Sequence, residues 1–100
     1  MQPLETNEPP GRAWEADPSA RLVRRLGKSA AELGQTGGRD GCPDIWELDN
    51  GDIAVIGRDL TSEYAQRLPD DVTVAADERL VVIPGAMLRA AKPDIADAGR

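Results

Sequence analysis

Residues 42 to 59, CPDIWELDNGDIAVIGRD, hold the densest set of groups able to do chemistry: Asp44, Glu47, Asp49, Asp52 and Asp59, with Cys42 at the start and Arg58 near the end. Carboxylates at short intervals suggest an oxygen-ligated cation. A calcium loop, however, needs its ligands in a fixed order with a glycine at its centre and a distal bidentate glutamate. Here only one residue, Asp52, lies between Gly51 and a strand-like run, which leaves no room for such a loop. Cys42 has no histidine to activate it, because the chain contains none. Carboxylate catalysis needs two acids held across a pocket, and a small aliphatic core offers little space for one. The Gly-Lys-Ser at 27 to 29 lacks the glycine five residues upstream and the preceding strand of a phosphate-binding loop. No catalytic, cofactor-binding or metal-ligating residue is assigned, and the chain reads as a non-enzyme.

The acids find a simpler role in a β-hairpin. With Asn50-Gly51 at the centre of a two-residue type I′ turn, Leu48 faces Ile53, Trp46 faces Val55 and Ile45 faces Ile56. Leu48, Ile53, Trp46 and Val55 then share one face, and Ile45, Ile56, Glu47 and Ala54 the other. Asp49 and Asp52 flank a solvated turn.

The remaining elements follow from periodicity and breakers. Residues 1–16 are polar and proline-rich and read as a disordered tail, with Trp14 as its one anchor. Residues 17–34 read as an amphipathic helix, with Asp17 as N-cap, Pro18 at the first position and Gly34 as the stop. Leu22, Val23, Leu26, Ala30 and Leu33 form its apolar face; Arg21, Arg24, Arg25 and Lys28 form a basic stripe opposite. That stripe is the candidate partner-binding surface. Four glycines in residues 34 to 41 make 35–41 a flexible linker, and a compact domain is expected over 42–93, with 94–100 as a C-terminal tail. Within it, LTSEYAQRLP predicts a short helix capped by Thr61, and DVTVA a short strand or an irregular link. RLVVIP predicts a third strand covered on both faces, and GAMLRAAKP a second helix ending before Pro93. The fold class is α+β: a small antiparallel sheet made of the hairpin plus a third strand, with short helices and the N-terminal helix.

Charge and composition bound the function. The net charge of −6 falls entirely on residues 42 to 100, which disfavours direct nucleic-acid binding there. A single cysteine excludes an intrachain disulfide and favours a reducing compartment. No run approaches a membrane span, and the N-terminus lacks a signal peptide, so the expected location is the cytoplasm. Ten arginines against two lysines suggest a GC-rich bacterial genome.

The stretch CPDIWELDNGDIAVIGRD together with RLVVIP resembles small actinobacterial proteins and, more remotely, the family of the developmental regulator BldB. The similarity runs through Cys42, Glu47, Gly51, Val55, Arg58-Asp59 and Leu80 to Ile83, over roughly the last sixty residues. It implies a protein-interaction module, an antitoxin-like or regulatory accessory protein, that modulates a helix-turn-helix transcription regulator. The alternatives are a dimeric structural or accessory protein of a biosynthetic or stress gene cluster, and a small enzyme using carboxylates.

Overall fold

The structure, a computed structural model, describes residues 13–35 and 42–95. Of the expected tail 1–16, linker 35–41 and C-terminal tail 94–100, residues 1–12, 36–41 and 96–100 lie outside the described residues. Among the described residues, five strands, β1 (Leu22–Arg25), β2 (Asp44–Leu48), β3 (Ile53–Ile56), β4 (Arg58–Asp59) and β5 (Val81–Val82), accompany two helices, α1 (Thr61–Tyr64) and α2 (Gly85–Ala91). A 3-10 turn, Lys92–Asp94, prolongs α2 through Pro93 rather than stopping before it. The strands form a three-stranded antiparallel sheet in the order β1-β2-β3 and a two-stranded antiparallel sheet of β4 and β5. The α+β class therefore holds.

The largest departure from expectation is the N-terminal helix. Residues 22 to 25 form β1, paired antiparallel with β2. Asp17 does not cap a helix; its carboxylate accepts hydrogen bonds from the Ser19 N–H and hydroxyl in a local turn. Two physical reasons favour the strand. Gly27, at the centre of the expected helix, has φ +79°, which ends any helix there. Pairing with β2 also gives Arg24 and Arg25 carboxylate partners that a free helix lacks. The segment's only helical turn follows Gly27. There Ser29 and Glu32 satisfy each other's backbone N–H at 2.8 and 3.2 Å, a reciprocal cap written in the sequence as S-x-x-E. Because β1 belongs to the same sheet as β2, the folded unit begins upstream of Cys42, and residues 17–34 are part of it.

The hairpin is present, shifted by one residue. Glu47 pairs with Ile53, Trp46 with Ala54, Ile45 with Val55 and Asp44 with Ile56. Asn50 is not at positive φ, and Gly51 is, at +90°. The Gly51 N–H bonds Leu48 O, and the Leu48 N–H bonds Asp52 O. The loop is thus a three-residue connection, a type I turn closed by a left-handed glycine. A shift of one residue changes which side chains share a face: Ile45, Glu47, Ile53 and Val55 now lie together, and Asp44, Trp46, Ala54 and Ile56 lie opposite.

The third strand of the main sheet is β1 rather than the RLVVIP segment. That segment contributes β5, which pairs with β4 and is exposed at both Val81 and Val82 instead of covered on both faces. DVTVA forms no strand. Thr61 does not cap α1; its hydroxyl donates to Asp59 at 2.7 Å and accepts from the Leu80 N–H at 2.8 Å, tying the start of α1 to β5. The core is small and aliphatic: Leu26, Ile45, Met87 and Ala91, with Leu33 and Ile83 packed against them.

Gly27 positions α2. A Cβ there would stand 2.8 Å from the backbone of Ala90 and Ala91. Gly27→Ala is therefore expected to cost about 2–4 kcal/mol, from the left-handed backbone and the overpacking together. Gly51→Ala, with open space around it, is expected to cost only about 1 kcal/mol. Chemical denaturation of both variants checks the order.

Candidate interaction surface

The two faces of the main sheet carry different chemistry. On one, Arg25 reaches Asp44 with two hydrogen bonds of 2.9 Å and lies over the Trp46 ring, 4.8 Å from its centroid. Asp44 is buried. Burial pushes its carboxyl up, but hydrogen bonds from Arg25 and Trp46, the Arg25 charge and the Ile45 N–H outweigh this and hold it below its ordinary value. The bond to Asp44 raises the Arg25 guanidinium in turn.

On the other face, α2 lies across the sheet and leaves a groove of about 470 Å³ beside it. Leu26, Ile45 and Ile83 form its floor, and Ile53, Val55, Leu88 and Ile95 stand along it. The last four are 52%, 42%, 58% and 53% exposed, a large share for side chains of their type. Arg24 sits at the rim with its Nε 3.0 Å from Glu47 Oε1 and its Nη2 donating to the Asp94 carbonyl at 2.8 Å. The Asp94 carboxylate accepts the Gly27 N–H at 2.7 Å. These bonds pin the end of the α2 segment to the end of β1 and hold the groove open.

The expected basic stripe is not a stripe. In a strand, neighbouring side chains alternate between faces, so Arg24 lies on the groove side and Arg25 on the opposite side, each with a carboxylate partner. Arg21 and Lys28 are exposed beyond the two ends of β1. The acids of residues 42 to 59 are dispersed as well. Asp44 serves Arg25, Asp49 accepts the Arg21 N–H, the Asp52 carboxylate accepts from the Asn50 side-chain amide and the Trp14 indole, and Asp59 accepts from Thr61. Among the described residues no cluster of three His, Cys, Asp or Glu side chains could hold a metal ion. Cys42 is exposed at the edge of a second hollow bounded by Pro43, Gly57, Arg58 and Val82 to Pro84.

The groove residues were hidden by the two-residue turn, which put Ile45 and Ile53 on opposite faces. The available signal was the pattern itself: the three-residue loop alone places Ile45, Ile53 and Val55 together. Comparison with protein-family models, curated proteins and solved structures found no match.

Asp44→Asn leaves a partly buried guanidinium without its anion. The expected loss is about 2 kcal/mol, below that of a fully buried pair because the Arg25 side chain is 37% exposed. Since the folded-state value of Asp44 is depressed, its contribution is complete above the unfolded value of about 4 and is lost as pH falls through the lower folded value. Thermal melts between neutral and acidic pH should show a steeper acid decline for the wild type than for Asp44→Asn.

Proposed function

We propose that the protein is a non-enzymatic interaction module that binds a protein partner through the groove between α2 and the β1-β2-β3 sheet. The observation that carries this reading is the row of half-exposed aliphatic side chains, Ile53, Val55, Leu88 and Ile95, lining one concavity. In a chain with so small a core, contiguous apolar surface of this kind marks a place where another molecule is buried. The charged rim of Arg24, Glu47 and Asp94 suits the edge of such a contact, and the apolar centre suits its core. The resemblance to the BldB family names the class of partner: a helix-turn-helix transcription regulator. In this role the module acts on the regulator and not on its DNA, in keeping with the acidic balance of residues 42 to 100. No helix among the described residues is long and apolar enough to cross a membrane.

Leu88→Asp tests the reading because Leu88 is exposed and lies in the groove. The variant should keep the wild-type circular dichroism and melting temperature. Affinity purification from the native host should recover a helix-turn-helix protein with the wild type and at least tenfold less of it with Leu88→Asp, a loss of about 1.4 kcal/mol or more. Equal recovery with both would remove the groove from the contact.

A further inference from the structure

β3 ends the three-stranded sheet, and no described strand pairs with its outer side. The Leu48 N–H bonds Asp52 O, so with a period of two the backbone groups of Asp52, Ala54 and Ile56 point at β2. Those of Ile53 and Val55 point away. Among the described residues, no hydrogen bond reaches these outward groups. Edge strands are ordinarily guarded by charged side chains, proline, a bulge or a covering segment. The opposite edge strand, β1, carries two arginines and a register shift between Leu22 and Arg24. β3 reads Ile-Ala-Val-Ile, with no charge, proline or register shift of its own.

Charges stand just beyond each end of β3, and they are opposite and symmetric. Asp52 comes three residues before Val55 and Arg58 three residues after it. Arg58 is exposed. Among the described residues Asp52 accepts through Oδ2, from Trp14 and Asn50.

We propose that two copies of the chain associate through β3, antiparallel, about a two-fold axis at Val55. In this register Val55 faces its counterpart, and the two exchange N–H···O bonds through groups that point outward in each copy. Asp52 of one copy stands opposite Arg58 of the other at both ends. Sliding the strands by two residues, or pairing them in parallel, loses both ion pairs, so the flanking charges select this one arrangement. Residues directly opposite in an antiparallel pair share a face. The two grooves therefore open on the same side of a continuous six-stranded sheet, with the two Val55 side chains adjacent at the junction. The interface is isologous and closed.

Sedimentation equilibrium of the purified full-length chain tests this independently of any regulator. The wild type should show twice the 10.7 kDa chain mass at micromolar concentration and dissociate on dilution. Val55→Pro deletes an N–H that β2 does not use, a position where an edge strand tolerates proline; it should be monomeric with unchanged far-ultraviolet circular dichroism. Should Val55→Pro fail to fold, the charge series decides. Asp52→Lys and Arg58→Asp should each weaken association about tenfold or more, and the double variant should recover most of the loss, which a damaged turn cannot do. A wild type that stays monomeric at all concentrations, single reversals that leave the dimer intact, or a double variant no better than the singles would each overturn the proposal.

Discussion

The arrangement depends on one close approach of two backbones. Gly27 leaves β1 in the left-handed region and lies against the Ala90–Ala91 peptide of α2, with no room for a Cβ between them. Its N–H is held by the Asp94 carboxylate at 2.7 Å, and the Asp94 carbonyl is held by Arg24. This contact seats α2 across the sheet so that Met87 and Ala91 face Leu26 and Ile45. Widening it would separate the helix from the sheet and open a core that has few other residues to fill it.

The two faces of the sheet divide the work. One is closed by the Arg25–Asp44 pair and the Trp46 ring, where a buried carboxylate is satisfied by a bidentate guanidinium. The other is left open, with aliphatic side chains beside α2 and a rim already neutralised by Arg24 and Glu47. A domain of this size buries too little surface to be strongly stable alone. Under the two proposals above, the half-exposed apolar groups of one face and β3 at one edge are the places where association would add burial that the chain does not provide by itself.

Much of this was legible in the residues. The α+β class, the hairpin around Asn50-Gly51, the short helices after Leu60 and Pro84 and the aliphatic core follow from turn chemistry and apolar runs, which are local. In the fold the acids of residues 42 to 59 go to separate partners. The S-x-x-E of Ser29 to Glu32, not read above as a cap, is the local signal for the helical turn that starts after Gly27.

What the sequence by itself determined was the set of local preferences: where turns fall, which runs are extended, and which residues are too apolar to be left in water. Tertiary structure decided three things that no local preference settles. It made Leu22 to Arg25 a strand, because carboxylates from β2 and the backbone of α2 become available only after folding. It chose the three-residue turn over the two-residue one. The sequence Asp-Asn-Gly-Asp permits both, and only packing under α2 rewards the register that puts Ile45, Ile53 and Val55 on one face. It also split the cations of β1 between opposite faces, since alternation along a strand replaces the stripe that a helix would have made.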